Sequence, residues 1–451
     1  MKHILPIAAI MMLALPALAF SAGPAPVAGA ATAPAGGAAA ATAGAIPSDW
    51  IDPDTGHRVI RISTEPGSQS LYFHQNAFTG AGDKMFITTP KGLATIDLTT
   101  LGKSPCKNEI ISAGNAGAPV LGPKTRTVYY ARGNAILATH LDTHETRTVC
   151  TLPAGLTGAS GIALNSDETL LASSGDDPTA KGIVATQPAP PRSALTPASS
   201  PNGRGENARS MCLYTIDVKT GEIKRILYST SWLNHTQFSP TDPAQILFCH
   251  EGDWHMVDRT WTIRADGTGL KMIYTRTMAN EIEGHEFFSS DGKKVLYDLQ
   301  TPRSGQFWLA GTDLATGQEY RYPLERVEWS VHFNQSHDGK LFSGDGGGPN
   351  SVANRTPLPG NQPLNPPGNG MWMYLFTPQD VPMTEMKVGD PLRTVKVGKL
   401  VSERLVNLKN HNYSLEPNGR FSPDDKWLIF RANMLGGVSH VYAVEVKKAA
   451  P

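Results

Sequence analysis

The sequence predicts an all-β protein with a seven-bladed β-propeller fold, and three observations support that prediction. One short pattern recurs seven times along the chain, and each copy reads as part of a four-stranded unit. The chain also supplies a strand ahead of the first unit that can complete the last one. Many short strands separated by turn residues at regular intervals are typical of a propeller, in which each unit forms one blade.

The recurring pattern is an aromatic or apolar residue, a small residue, a turn at Asp or Gly, and a short apolar run. Each copy predicts a strand, a turn and a second strand with alternating apolar residues. Third and fourth strands follow most copies, joined by a turn such as that in "DVKTGEIKRIL". The clear copies are "FSPTDPAQILFCHE", "FFSSDGKKVLYD", "FNQSHDGKLFSGD" and "FSPDDKWLIFRAN", and the weaker ones are "FTGAGDKMFITTP", "VLGPKTRTVYYARG" and "LNSDETLLASSG".

The two ends of the repeat array predict how the ring closes. The segment "WIDPDTGHRVIRIS" provides a turn and a strand with no unit before it, and "HVYAVEV" provides the third strand of the seventh unit. We expect the N-terminal strand to pair with the last blade, because that arrangement removes an open sheet edge. Pro-rich insertions at 186–206 and 346–370 account for the unequal repeat lengths of the third and sixth units.

The residues before the repeats predict export. Residues 1–19 are expected to be a signal peptide, because Lys2 precedes an apolar stretch that ends in "ALA". Residues 20–46 are small, uncharged and rich in Ala, Pro and Gly, which predicts a flexible linker before a propeller at 47–448. We expect a periplasmic or secreted protein, with a retained N-terminal anchor as the alternative. No later apolar stretch is long enough to span a membrane.

The composition excludes some classes of function. The chain carries 40 Lys and Arg against 40 Asp and Glu, so no net charge recruits nucleic acid or an anionic membrane surface. A charged ligand must therefore be bound by a local site. The four cysteines are widely spaced and match no metal-binding motif, so we expect at most one disulfide bridge and leave its pairing open.

One position before each first strand is expected to line the central channel. It lies three residues before the aromatic residue of "FSPTD" and its counterparts, and an odd separation places it on the opposite side of the strand. Together with Glu416 and His411, its histidines could hold a divalent metal ion, or they could simply bond to water and backbone. The predicted ring consists of Gln75, Ala118, Gly161, His235, His285, His332 and Asn418.

Four elements together resemble the oligogalacturonate lyases, over residues 50–446: "FCHEGDWHMVDRTW", "EGHEFF", "HFNQSHDGKLFSGDGGG" and "LEPNGRFSPDDKWLIFRANM". The resemblance implies a seven-bladed propeller that cleaves short galacturonate oligomers by β-elimination and leaves a 4,5-unsaturated uronate. It also implies a manganese ion and a histidine base. The base would be His250, from "CHEG", and His285, from "GHEF", would be a metal ligand.

The remaining metal ligands that the resemblance implies fall in "YSLEPNGRF", where the family has Gln-x-x-His-x-His-Pro-x-Phe. The matching residues are Tyr413, Glu416 and Asn418, of which the last two can donate oxygen. We therefore expect His285, His332, Glu416 and Asn418 to hold a divalent metal ion, with Mn²⁺ implied by the resemblance. Such an ion on the uronate carboxylate would stabilise the charge that develops when a neutral imidazole removes the C5 proton.

Two further residues are expected to bind the acidic oligosaccharide. His235 would face the channel near the base, and Arg259 could pair bidentately with a uronate carboxylate. The alternative for Arg259 is a structural ion pair with Asp258 or Glu251. Trp254 could stack on a sugar ring or pack between blades.

Other functions fit parts of the same sequence. A serine hydrolase carried on a propeller is not expected, because the sequence has no G-x-S-x-G element. A non-catalytic exported propeller that binds a uronide or a protein partner is an alternative that the altered 413–418 segment favours. A metal-dependent lyase acting on a different uronide is another. The set of His250, His285 and His332 favours the lyase.

Overall fold

The computed structural model describes residues 47–103, 105–157, 161–180, 210–229, 232–251, 257–303, 305–346, 371–389 and 392–448. The signal peptide and linker expected at 1–19 and 20–46 lie outside the described residues. So do Trp254, His255 and nearly all of both Pro-rich insertions. The described residues belong to one structural unit.

The strands form seven sheets, one for each predicted repeat, arranged as the blades of a β-propeller. The predicted fold class and number of blades are therefore confirmed. Two strands precede the first blade, β1 (Asp49–Ile51) and β2 (Arg58–Arg61). The first blade contains β3 (Lys84–Thr89), β4 (Gly92–Asp97) and β5 (Asn108–Ala113). The second contains β6 (Gly117–Gly122), β7 (Thr127–Arg132), β8 (Ala135–His140) and β9 (Thr146–Thr151). The third contains β10 (Ala163–Leu164), β11 (Leu170–Asp176), β12 (Met211–Asp217) and β13 (Ile223–Ser229).

The fourth, fifth and sixth blades carry most of the candidate site residues. The fourth blade contains β14 (Trp232–Phe238), β15 (Gln245–Glu251), β16 (Thr260–Arg264) and β17 (Lys271–Met272). The fifth contains β18 (Ile282–Phe288), β19 (Lys294–Thr301), β20 (Gln306–Asp313) and β21 (Glu319–Leu324). The sixth contains β22 (Val331–Gln335), β23 (Phe342–Asp345), β24 (Trp372–Pro378) and β27 (Leu400–Asn407). Short 3₁₀ helices in the described chain span Pro178–Ala180 and Arg326–Glu328.

The seventh blade closes the ring as the sequence predicts. Its own strands are β28 (Arg420–Phe421), β29 (Trp427–Ala432) and β30 (His440–Glu445). The N-terminal β2 pairs antiparallel with β30, with Val59 opposite Val444, and β1 pairs with β2 on the outside. The ladder between β2 and β30 covers the edge that β30 would otherwise expose, so the first and last parts of the propeller are joined by hydrogen bonds.

A hairpin inserted in the sixth blade adds to the fifth, which the sequence did not predict. Its strands are β25 (Thr384–Val388) and β26 (Arg393–Val397), and β26 pairs parallel with β21. The fifth sheet thereby reaches six strands. Val395 in β26 is fully buried, and Arg393 pairs with Glu319 of β21 at 3.0 Å. The insertion therefore ties the outer edges of two neighbouring blades together.

Apolar side chains fill the spaces between adjacent blades, and alternation along each strand directs them to different neighbours. In β15, Phe248 packs with Leu213 of the third blade, whereas Leu247 on the other face packs with Val295 of the fifth blade. Burying one such side chain contributes roughly 1.5–3 kcal/mol. The two faces of β15 therefore belong to two different interfaces, which decides where its polar residues point.

The cysteines and the described helices give two further results. All four cysteines lie within the described residues, and no disulfide joins them there. Across the described ranges, no helix combines the length and the apolar character that crossing a membrane requires.

Candidate active site

Five of the seven predicted ring positions share a left-handed backbone conformation. Their φ angles fall between 48° and 52°, and a sixth position, Gly161, has φ 148°. In four blades the inner strand pair also changes register at this position, so the residue sits in a β-bulge that turns its side chain toward the channel. Such a conformation costs on the order of 1–3 kcal/mol for a residue other than glycine. The five residues are Ala118, His235, His285, His332 and Asn418.

Two of these bulges bring His285 and His332 together. Their ring centroids are 4.3 Å apart, and both side chains are buried. The Nδ1 of His285 donates to Asp298 Oδ1 at 2.6 Å, and the Nδ1 of His332 donates to Asp345 Oδ2 at 2.9 Å. A carboxylate on Nδ1 fixes the tautomer in which Nε2 carries the lone pair, which is how metal-binding histidines are commonly oriented.

Glu416 of the seventh blade completes this group. Its Oε2 lies 3.5 Å from the Nε2 of His332, and 41% of its side chain is exposed. The Nε2 atom itself is buried and has no hydrogen-bond partner among the described residues. The imidazoles of His285 and His332 and the carboxylate of Glu416 together are a donor set that fits a divalent metal ion. The exposed carboxylate marks the side from which a ligand could approach.

The charges around the two histidines differ. Burial lowers the pKa of His285 well below its ordinary value, and the neighbouring His332 lowers it further. Burial opposes protonation of His332 as well, but Asp345 and Glu416 outweigh it and raise the pKa of His332 to about 9. The site therefore attracts a positive charge at His332. A bound metal ion would supply that charge in place of the proton.

Asp345 is the centre of the hydrogen bonds behind His332. Besides the imidazole, it accepts a short hydrogen bond from the Tyr413 hydroxyl and a bond of 3.3 Å from the backbone N–H of Asn418. Burial raises the pKa of Tyr413 well above its ordinary value, and Asp345 raises it further, so the phenol remains a donor. Tyr413 thus supports the orientation of His332 through Asp345.

The expectation that Asn418 is a metal ligand does not fit its contacts. Its side-chain oxygen accepts the backbone N–H of Phe73 at 3.2 Å, and its side-chain nitrogen donates to the backbone oxygen of Glu416 at 3.1 Å. The left-handed backbone directs this side-chain amide toward the first-blade segment that contains Phe73. The structure therefore gives Asn418 a positioning role, and the oxygen donor beside the histidines is Glu416.

His235 lies beside the same group, held between two carboxylates. Its ring stacks on His285 with centroids 6.5 Å apart. Its Nδ1 is 3.0 Å from Glu286 Oε1, and its Nε2 is 3.7 Å from Glu251 Oε1. Burial lowers the pKa of His235, but the charge and hydrogen bond of Glu286 together with the charge of Glu251 outweigh burial, and the net pKa is raised. His235 therefore lies next to His285, and its carboxylate partners raise the pKa of its imidazole above that of a free histidine.

Arg259 is buried behind His235 and is not placed to clamp a substrate. Its guanidinium is 2.8 Å from Glu251 Oε2 and 3.8 Å from Glu286 Oε2, and the residue is 2% exposed. Withdrawing a buried guanidinium from two carboxylates would leave those charges unpaired, at a cost of roughly 3–5 kcal/mol. Of the two predicted alternatives, the structural ion pair with Glu251 is the one observed.

The same ion pairs argue against a metal ion at His235, Cys249 and Glu251, although potential ligand atoms of these three lie within 4.8 Å of one another. Arg259 already neutralises Glu251 and contacts the Cys249 sulfur at 3.7 Å. Burial raises the pKa of the Cys249 thiol well above its ordinary value, and Glu286 raises it further, whereas a metal ion binds the thiolate. This trio is therefore an ion-pair network.

His250, the expected base, faces away from the other histidines. It pairs opposite Leu233, and its ring lies 5.5 Å from that of Trp261 on the face that packs toward the third blade. Cys249 and Glu251, its neighbours in the strand, point to the opposite face, where Arg259 lies. The expectation assumed a regular hairpin, and the bulge at His235 reverses that relation.

A segment of the first blade crosses the channel beside the three imidazoles. The Tyr72 ring lies 5.5 Å from that of His235 and 5.6 Å from that of His332, and the Phe73 ring is 6.1 Å from that of His285. Tyr72 is partly exposed, whereas Phe73 is fully buried. The segment therefore places one partly exposed tyrosine ring beside the site and buries the next ring.

Some of these residues were missed from the sequence although a signal for two of them was present. Asp298 lies 13 residues after His285, and Asp345 lies 13 residues after His332. Equal offsets in two repeats predict the same cross-strand position, and both aspartates indeed pair beside the bulge. The roles of Glu286 and Tyr72 had no such signal, because their contacts cross between blades.

A family model described as oligogalacturonate lyase matches residues 206–450. The chain belongs to the oligogalacturonate lyase family. The matched residues contain the candidate metal ligands and His235, while Tyr72 lies before them. The resemblance predicted from the four sequence elements is therefore confirmed.

Individual family members are distant relatives. The oligogalacturonate lyase of Dickeya dadantii is 27% identical over 225 residues, covering 50% of this chain and 53% of that protein. The alignment thus spans about half the length of that relative. The oligogalacturonide lyase of Pectobacterium atrosepticum is 25% identical over 304 residues, covering 65% of this chain and 74% of that protein.

Two solved oligogalacturonate lyases share the fold. One, determined in complex with manganese, superposes with a TM-score of 0.67 at 22% identity, covering 89% of this chain and 96% of that one. Another, from Vibrio parahaemolyticus, gives a TM-score of 0.65 at 20% identity with the same coverage of 89% and 96%. At this identity the likeness supports the seven-bladed fold.

Proposed function

We propose that this protein cleaves short galacturonate oligomers by metal-assisted β-elimination and leaves a 4,5-unsaturated uronate. One observation carries the proposal. Two adjacent imidazoles are each oriented by a buried aspartate, one of them faces the Glu416 carboxylate, and a third imidazole held by carboxylates lies beside them. This arrangement provides both of the functions that β-elimination next to a carboxylate requires, which are charge stabilisation and a base.

We infer that His285, His332 and Glu416 hold a divalent metal ion, and we propose that the ion is Mn²⁺. Mixed imidazole and carboxylate donors suit Mn²⁺ among other divalent ions, and a relative with the same fold was solved with manganese. When bound, the ion supplies a Lewis acid for the uronate carboxylate and favours the neutral form of nearby imidazoles. The aspartates on Nδ1 keep both ligands in the binding tautomer.

His235, in its neutral form, takes the C5 proton in this proposal. Its ring is next to His285, whereas that of His250 lies on the other face of the fourth blade. Glu286 and Glu251 stabilise the imidazolium that forms when the proton arrives, because opposite charges close together favour the charged form. Arg259 holds both carboxylates in place, so it acts on the reaction through them.

The proposed function is tested with the purified protein, Mn²⁺ and trigalacturonate, by following the ultraviolet absorbance of the unsaturated product. We expect product formation that stops on addition of a chelator and returns with Mn²⁺. Other uronides, including oligomers of glucuronate and guluronate, serve as matched substrates. Elimination of another uronide alone would identify a lyase of different substrate class, and no product from any uronide would favour the non-catalytic binding alternative.

A further inference from the structure

The channel segment Ser70–Gln75 is held in place by side chains of the sixth and seventh blades. Asn418 accepts the backbone N–H of Phe73 at 3.2 Å, and Asn334 donates to the backbone oxygen of Phe73 at 3.3 Å. The same segment accepts a bond of 3.3 Å from Arg431 at Ser70 O and a short bond from Arg420 at Gln75 O. Four polar side chains of the sixth and seventh blades thus fix the backbone of a first-blade segment.

These hydrogen bonds fix the backbone on both sides of Tyr72. A turn fixes it locally. The backbone N–H of Gln75 donates to the backbone oxygen of Tyr72 at 2.9 Å, and the side-chain oxygen of Gln75 accepts the backbone N–H of Tyr72 at 3.2 Å. The Tyr72 ring lies near both His235 and His332, with centroid distances of 5.5 and 5.6 Å. Tyr72 is therefore next to both the proposed base and a proposed metal ligand.

We propose that Tyr72 is the proton donor to the leaving oxygen in the elimination, an inference that rests on the proposed function. β-Elimination needs a group that receives the C5 proton and, because an alkoxide is a poor leaving group, a second group that gives a proton to O4. Tyr72 is a partly exposed residue whose ring lies beside both His235 and His332, and its side chain carries such a proton. A phenol with an ordinary pKa near 10 carries its proton at neutral pH.

The step balances in atoms and charge. The C5–H bond breaks, its proton goes to His235, and its electron pair forms the C4–C5 double bond. The C4–O bond breaks with its electron pair on oxygen, which takes the proton of the Tyr72 hydroxyl. The protonated His235 then returns its proton to the Tyr72 phenolate through solvent. No oxidant, reductant or further reactant is consumed, and both side chains regain their starting states.

The test separates removal of the C5 proton from loss of O4. Wild type and Tyr72→Phe are incubated with Mn²⁺ and trigalacturonate in D₂O. Elimination is followed by ultraviolet absorbance, and deuterium at C5 of the recovered substrate by NMR. We expect Tyr72→Phe to eliminate about 100-fold or more slowly while it still exchanges the C5 proton, with KM nearly unchanged. His235→Ala should lose both exchange and elimination.

Matched controls make the outcomes distinct. Tyr442→Phe removes another buried hydroxyl, in β30 of the seventh blade, and should leave both rates unchanged. If Tyr72→Phe eliminates at the wild-type rate, or loses exchange and elimination together, Tyr72 is not the proton donor. A large rise in KM with unchanged kcat would instead assign Tyr72 to sugar binding and overturn the proposal. An inactive wild type would overturn the proposed function itself.

Discussion

The polar half of the channel ring, in blades four to six, differs sharply from the small half, in blades two and three. His235, His285 and His332 occupy the left-handed bulge in the polar half, and Ala118 occupies the same bulge, at φ 50°, in the small half. An alanine offers no chemistry, so the bulge itself belongs to the way these blades are built. The chemistry therefore comes from which side chain the bulge presents.

The strongest way to break the polar half is to remove a metal ligand. We expect His332→Ala to lose bound metal and to lower kcat/KM on the order of 10³- to 10⁴-fold, since a Lewis acid contributes several kcal/mol to such a step. Metal analysis of the purified variant checks the first effect and the product assay the second. His337→Ala, an exposed histidine of the same blade with its side chain 52% exposed, is the control. Full metal content in His332→Ala would contradict the assigned site.

The two candidate bases can be compared directly. We expect His235→Ala to lower kcat about 100-fold or more, the usual contribution of a general base, without loss of bound metal. His250→Ala should stay within about tenfold of wild type, because its ring faces the third blade beside Trp261. Steady-state kinetics with metal-saturated protein measure both. The reverse order of effects would restore His250 as the base.

The partners behind the metal ligands should have smaller effects. Asp345→Asn replaces the carboxyl group that is hydrogen-bonded to the Nδ1 of His332, and Asp298→Asn does the same at the Nδ1 of His285. We expect each to weaken metal affinity about 10- to 100-fold, with most of the activity recovered at high Mn²⁺ concentration. Metal titration followed by activity shows this. Activity that stays low at saturating metal would mean that the aspartates do more than orient the ligands.

The small half should tolerate change in activity and respond only in stability. Gly161 has φ 148°, a region that residues with a Cβ rarely adopt, although an added Cβ would meet no atom within 4 Å. We expect Gly161→Ala to lower the free energy of unfolding by on the order of 1 kcal/mol and to leave kcat unchanged. Denaturant unfolding and the product assay measure the two quantities. A large loss of activity would show that the small half also contacts substrate.

The sequence predicted those parts of the fold that depend on local pattern. Seven repeats, the closing of the last blade by β2 and the ring of channel positions follow from turn residues and alternation, which act within a few residues. The hairpin of β25 and β26 was not predicted, because its pairing with β21 joins segments far apart in the chain. Nothing in the apolar pattern of either segment identifies that partner.

The site was predicted at the level of residue types more than of roles. His285 and His332 come together because they lie at equivalent positions of neighbouring blades, which the repeat reveals, and Glu416 lies two residues before the equivalent position in the next blade. The assignments of His250, Arg259 and Asn418 depended on side-chain direction. In each case a bulge, a buried carboxylate or a left-handed backbone decided that direction, and none of these can be read from spacing alone.

The segment that carries Tyr72 has a consequence for how the protein becomes active. It comes from the first blade, yet it is fastened by residues of the sixth and seventh, and the candidate metal ligands span the fifth to the seventh. A chain with only its first five blades folded would hold neither Glu416 nor the contacts that place Tyr72. Activity would therefore require the whole ring to be folded, and a propeller with some blades still unfolded would be inactive even where its other blades are formed.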